Sequence, residues 1–289
     1  MGKILVIADI TGRCGATPRG LELADKLGLD ADVVAFVYAP LGKLEVDTAA
    51  RSAIKQRLLS QRETELQSVI DKYQVSGQKV KLRVHWEKDI VDWVNKRCAS
   101  TAYEMVVKTG RRSETLAYAS SDWLLLRECP VPLLILASNK WSRTAPVMAA
   151  LDLASSIAAK KQLNDRVLGQ AKALAEAMGE KLEIICAVEV PALLQELDLV
   201  DPIAYVKRAR SDMEPVIRKL AKRHGIPEKA FHTKRGPVEK VIASQAAAKR
   251  AQIVVMGTVG RKGVKARLIG NTAEKVLTHL KTDVLAIKP

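Results

Sequence analysis

Val254-Val255-Met256-Gly257-Thr258-Val259-Gly260 passes from an unbroken apolar run into a glycine-marked loop, and the chain continues through 261–269 to Gly270-Asn271-Thr272-Ala273-Glu274. The apolar run reads as a buried strand that stops where backbone must come close to something. Gly270 opens an amphipathic run, 273–280, with helical spacing. A strand, a basic loop and a helix start make an anion cradle, because a helix start presents unpaired N–H groups and partial positive charge. Gly257 and Gly260 carry no Cβ, so a phosphate can approach their amides. Arg261, Lys262, Lys265 and Arg267 add positive charge to the same loop.

Outward from this stretch the chain reads as a repeat. Ile4-Leu5-Val6-Ile7-Ala8-Asp9 has a counterpart in Val147-Met148-Ala149-Ala150-Leu151-Asp152, an apolar strand again ending in aspartate. In the first half, strands are expected near 32–38, 80–86, 105–107 and 133–136. Helices are expected over 18–27 and 47–73, and a third is capped by Asp89 with Ile90, Trp93, Val94 and Cys98 on its apolar face. The second half repeats the order, with strands at 147–153, 182–190, 229–235, 253–256 and 284–287 and helices at 163–178, 202–224 and 238–251. Strands alternating with such helices mean parallel β-α-β units with right-handed crossovers. Two copies mean two similar α/β domains, 1–141 and 142–289, joined by the polar stretch 139–146.

The spacing Gly257-x2-Gly260-x9-Gly270 resembles the nucleotide-binding signature of the universal stress protein family, and Leu268-Ile269-Gly270-Asn271-Thr272-Ala273-Glu274-Lys275-Val276 resembles its tandem, E-type branch. The signature normally continues with Ser or Thr; here Asn271 takes that place and Thr272 follows. An Asn amide can still donate to a phosphate oxygen. The resemblance implies two tandem five-stranded, mostly parallel α/β sandwich domains of the adenine-nucleotide alpha-hydrolase-like kind. It places Asp152 near an adenosine, the Val188 backbone at the adenine, and Gly257, Gly260, Gly270 and Asn271 at the phosphates, with Arg261 and Thr272 beside them. All fall at carboxyl ends of parallel strands, where open α/β sheets gather ligands.

The function so implied is stress response, with ATP or ADP, accompanied by Mg2+, bound in the second domain as a regulatory ligand. The ligand would order 261–269 and change a surface seen by a protein partner. Gly257→Asp or Gly270→Val should abolish binding and leave the sheet folded. Family members divide into nucleotide binders and non-binders, so the alternative is a non-nucleotide ligand-binding or protein-interaction module with a vestigial glycine motif. The family also implies dimers through the last strands, 133–136 and 284–287 being the candidate edges; a monomer is equally compatible with two halves in one chain.

The halves are chemically unequal. Opposite the glycine loop the first half carries Lys108-Thr109-Gly110-Arg111-Arg112, with one glycine, and Ala119-Ser120-Ser121 stands where the second half has Gly270-Asn271-Thr272. The first half therefore reads as a degenerate copy, with Ser120-Ser121-Asp122 serving as a helix cap.

A net charge of +15 raises nucleic acid or polyphosphate as partners. Clustering rather than total is the footprint of a nucleic-acid face, and here bases are scattered among acids, as in Lys43-Leu44-Glu45 and Arg62-Glu63. Nucleic acid is therefore disfavoured. No apolar run approaches the roughly 20 residues that span a bilayer, and Met1-Gly2-Lys3 leads straight into a strand, so membrane insertion and a secretory leader are not expected. Cys14, Cys98, Cys129 and Cys186 are far apart in sequence and read as reduced thiols of a cytoplasmic protein.

Neither G-x-x-x-x-G-K-[ST], G-x-G-x-x-G nor G-x-S-x-G occurs, which excludes P-loop, dinucleotide and hydrolase-elbow chemistry. His85, His224, His232 and His279 lack zinc-type spacing. Trp93 and Trp123 fit helix faces as core; Trp86 and Trp141 are candidates for a pocket or interface. With no paired base or metal set, any ATP hydrolysis is expected to be slow.

Overall fold

The computed structural model describes residues 2–10, 15–110, 120–137, 144–258 and 271–289. Its described residues up to 137 form one compact unit and those from 144 another. In the first, β1 (Lys3–Ile7), α1 (Ala16–Lys26), β2 (Asp30–Val37), α2 (Thr48–Tyr73), β3 (Val80–Trp86), α3 (Ile90–Ser100), β4 (Met105–Thr109), α4 (Ser120–Glu128) and β5 (Leu133–Leu136) follow one another. In the second, β6 (Val147–Leu151), α5 (Ala158–Met178), β7 (Leu182–Val188), α6 (Ala192–Glu196), α7 (Pro202–His224), β8 (Phe231–Arg235), α8 (Val238–Ala248), β9 (Ile253–Gly257), α9 (Asn271–His279) and β10 (Asp283–Ile287) do the same.

Among the described residues each unit has five strands, in the orders β3-β2-β1-β4-β5 and β8-β7-β6-β9-β10. Every pairing within a unit is parallel. The first strand of each unit is central, the sheet grows outward to the third, and the chain then crosses back to place the fourth on the other side. That reversal makes a topological switch point between β1 and β4, and between β6 and β9, where open α/β sheets form a crevice at the carboxyl ends. The central strands are buried on both faces: Ile4, Val6 and Val107 in one unit, Val147, Met148, Val254 and Val255 in the other, have no exposed surface. Near-continuous aliphatic runs are what a helix-covered parallel sheet requires.

Local signals set the helix limits. Asp47, Asp89 and Asp201 cap α2, α3 and α7, their carboxylates accepting from Ala50, Asp92 and Ile203 amides. Gly179 and Gly225 end α5 and α7 in the left-handed region, at φ +70° and +61°. Some elements depart from the sequence reading. Helix α5 starts at Ala158, a turn before its apolar spacing begins, and β8 starts at Phe231 because residues Glu228–Ala230 form a 3-10 turn. Helix α8 stops at Ala248, and the five-residue α6 is too short to show a period. Most of the expected join 139–146, namely 139–143, lies outside the described residues. No described helix is long and apolar enough to cross a membrane.

Candidate functional site

Asp152 follows β6 and Gly257 closes β9, so both flank the switch point of the second unit. The Asp152 main chain is fixed by one side chain: Asn164 of α5 donates from Nδ2 to the Asp152 carbonyl at 2.7 Å and accepts the Asp152 N–H on Oδ1 at 3.2 Å. The carboxylate is half exposed and paired with Lys160 at 2.8 Å. Ile157, at the N-cap position before α5, gives that helix no side-chain cap. A half-exposed carboxylate, paired with Lys160, and a helix start without a side-chain cap thus lie close in sequence at the crevice.

The equivalent Asp9 in the first unit is used differently. Its Oδ2 accepts the Gly15 amide at 2.6 Å, the Ala16 amide at 3.3 Å and the Thr109 hydroxyl at 3.2 Å. Arg62 donates to its carbonyl. The carboxylate therefore sits on the N-terminus of α1, where an anionic ligand would otherwise go, and supplies the negative charge that the helix start favours. The two strand-end aspartates are thus wired differently: the Asp9 carboxylate is bound to backbone amides at the start of α1, and that of Asp152 is half exposed with Lys160.

Gly257 has a packing reason of its own. A Cβ there would lie 2.5 Å from Leu163 Cδ2 and 2.8 Å from its Cγ. Helix α5 thus presses on the face that glycine leaves bare. A side chain at 257 therefore meets Leu163 and carries a packing cost of its own, apart from any effect on binding. One residue on, Thr258 is buried and directs both its N–H (2.7 Å) and its hydroxyl (3.3 Å) to the Ile287 carbonyl. Val188 is buried at the end of β7, and its carbonyl accepts the Gly236 amide at 3.0 Å. Asn271 and Thr272 open α9, with Thr272 exposed. Gly260, Arg261 and Gly270 lie outside the described residues.

The family model for the universal stress protein family matches residues 157–288. Universal stress protein E of Escherichia coli K12 is 30% identical over 245 residues, covering 83% of this chain and 78% of that protein. The chain belongs to the universal stress protein family. The universal stress protein E homolog of Haemophilus influenzae is 28% identical over 247 residues, covering 83% of this chain and 79% of its own. The fold also matches a functionally unknown protein from Pseudomonas aeruginosa PAO1 (TM-score 0.70, 23% identity, 99% and 92% of the two chains). A universal stress protein from Archaeoglobus fulgidus matches at TM-score 0.67 and 21% identity over 99% and 98%. The tandem, E-type reading and the stress-response class both stand on these relatives.

This universal stress protein also holds ionic clusters that the sequence reading missed. Buried Asp32 accepts the Tyr103 hydroxyl at 2.6 Å and meets Arg83 and Arg97 at 3.4 Å and Lys3 at 3.6 Å. Burial pushes its carboxyl up, but Tyr103, Lys3, Arg83 and Arg97 outweigh burial and hold it below the usual carboxylate value. At the equivalent place in the second unit, Glu183 meets His232 at 2.5 Å and Lys249 at 3.0 Å. It too is lowered: burial opposes the charge, and the hydrogen bonds from Lys249 and His232 prevail. Registers make the equivalence plain. Asp32 pairs with Leu5 and Glu183 with Met148, while Val34 faces Arg83 and Ile185 faces His232. These acids lie near the amino ends of their strands, opposite the crevice.

Other side chains shift role. Asp122, in the first turn of α4, is fully buried and bound to Lys108 Nζ at 2.5 Å. Trp93 and Trp123 are half-buried rather than core, and the Trp93 ring meets Phe36 edge-on at 5.2 Å and His85 at 4.7 Å. Burial, aided by Arg83 and Arg97, lowers the His85 pKa. Trp86 packs on Tyr38 beneath Lys55; Trp141 and Cys14 lie outside the described residues. Cys98, Cys129 and Cys186 are buried free thiols, and the fold brings Cys98 into hydrogen-bonding reach of Cys129.

Proposed function

We propose that this stress-response protein binds ATP or ADP in its second unit as a regulatory ligand. The observation that carries the reading is the opposite use of the two strand-end aspartates. Asp9 closes its own crevice by occupying the α1 N-terminus, whereas Asp152 stays half exposed beside the uncapped start of α5. An open carboxylate suits ribose hydroxyls or a Mg2+ shared with phosphates. The first-turn amides of α9 suit the phosphates themselves. Glycine at 257 serves α5 packing, so the phosphate role rests on the helix starts and the basic loop. Nucleotide binding would be read out by a protein partner, in a cytoplasmic setting, by a monomer or homodimer.

Isothermal titration of ATP into nucleotide-stripped full chain tests this. Saturable binding is expected, weakened about tenfold by Asp152→Asn and lost in Gly270→Val, with Asp9→Asn leaving affinity unchanged. Binding indifferent to both second-unit variants refutes the placement. No binding at all makes the motif vestigial and favours the module reading.

A further inference from the structure

At the amino ends of β6, β9 and β10, on the side of the second sheet opposite the crevice, lies a cavity of about 690 Å³. One wall is the alanine face of α8, Ala243, Ala246 and Ala247; Gln252 forms part of the floor, and Arg250 and Lys281 stand at the rim. We propose that this cavity is a second small-molecule site, taking an amphipathic organic acid that also carries an N–H donor.

Three independent features support it. The volume falls in the range of about 300–1,000 Å³ that holds small ligands. Gln252 is only 7% exposed, yet its Oε1 has no donor among the described residues, and its Nε2 reaches only the Met178 sulfur at 4.0 Å. A buried amide oxygen left without a donor costs stability, so a donor arriving with a ligand is favoured there. The same position in the first unit is the exposed Glu104: the Glu104 amide donates to Lys3 as the Gln252 amide donates to Pro146. The enclosure of this side chain is therefore peculiar to the second unit.

Arg250 is the third feature. It ends α8 at φ +51°, with Arg250 N–H on Ala247 and Ala251 N–H on Ala246. The same left-handed position after α5 and α7 is glycine, at Gly179 and Gly225, and after the short α6 it is Asp198, at φ +50°. A side chain is strained there and glycine is not, and a contact of the Arg250 cation with a bound acid would offset that cost. Arg250 and Lys281 form no ion pair among the described residues. They offer the acid group two cations, while the donor reaches Gln252 and the apolar body lies on the alanines.

The test titrates N-decanoylglycine, and decanoate as the probe lacking N–H, into full-length protein. N-decanoylglycine should bind saturably and about fivefold to tenfold tighter than decanoate. Gln252→Met should erase that difference. Ala247→Phe, at an exposed position on the wall, should abolish both. Arg250→Gly should raise the melting temperature while weakening both, an opposition that a purely structural arginine would not produce. Saturating ATP should leave every value unchanged, which keeps this site separate from the nucleotide reading. No saturable binding up to about 1 mM, or binding that survives Ala247→Phe, overturns the proposal.

Discussion

Replacing Gly257 by alanine separates packing from ligand binding. The new Cβ would stand 2.5, 2.8 and 3.3 Å from Leu163 Cδ2, Cγ and Cδ1. Comfortable carbon contacts are about 3.5–4.0 Å, so Leu163 or α5 must retreat by roughly 1 Å. Leu163 is only 5% exposed and has no solvent to swing into. Overpacking of this kind costs about 1–3 kcal/mol, or about 2–4 °C of Tm per kcal/mol for a unit this size. The strain also reaches the crevice, because the next residue, Asn164, holds the Asp152 main chain. Leu163→Ala alone should cost about 2–5 kcal/mol. Combined with Gly257→Ala the loss should fall short of the sum by about 1–2 kcal/mol, since the added methyl fills part of the vacated space. Urea denaturation followed by far-UV circular dichroism reads the effect. Trp86, Trp93 and Trp123 belong to the first unit and Trp141 falls with the second, so in a Trp141→Phe background the fluorescence serves as an internal control that should not move. Wild-type stability in Gly257→Ala, or strict additivity with Leu163→Ala, refutes the packing argument.

Two further outcomes follow from the ionic and thiol groups. The lowered Asp32 carboxyl stabilises the first unit at pH values above about 4, the unfolded carboxylate range, and that stability is lost as pH falls through the lower folded value. Asp32→Asn should flatten the dependence of the tryptophan-monitored urea midpoint between pH 5 and 2.5; an unchanged acid limb refutes the sign. Burial pushes the Cys186 thiol up to about 12, so iodoacetamide at pH 8 should leave it unlabelled by peptide mass mapping until guanidinium unfolds the chain. Rapid labelling of the folded protein contradicts its burial.

The strands were legible because they are aliphatic runs with clean ends: Val80–Trp86 and Leu133–Leu136 match the sequence reading residue for residue. The helix start at Asp89 was equally legible, since a capping aspartate is a local signal, and Asp47 and Asp201 prove to act in the same way. What sequence could not show is contact across elements. Nothing local distinguishes Asp122, which meets Lys108 in the core, from a helix cap. Glycine at 257 suggested a ligand, and only the placement of α5 reveals Leu163 against it. Glu183 and His232 lie on different strands and become one cluster through the parallel register. The strand-end aspartates were visible as a pair, but their opposite uses depend on where each following loop turns.

Duplication supplies an internal control for telling scaffold from site. Near the amino ends both units keep an acid at the same register position, Asp32 and Glu183, and a basic partner at the same place on the third strand, Arg83 and His232. The identities differ while the pairing persists, as expected when what matters is neutralising a carboxylate taken out of water. At the carboxyl ends the reverse holds. Aspartate is kept in both copies, yet one carboxylate caps a helix and the other stands open with Lys160. Same residue with different wiring is the mark of a position released from a shared structural duty in one copy. That places the divergence of the two units at the end of the sheet where open α/β folds bind ligands, and makes Asp152, rather than the glycines, the position whose substitution is most informative.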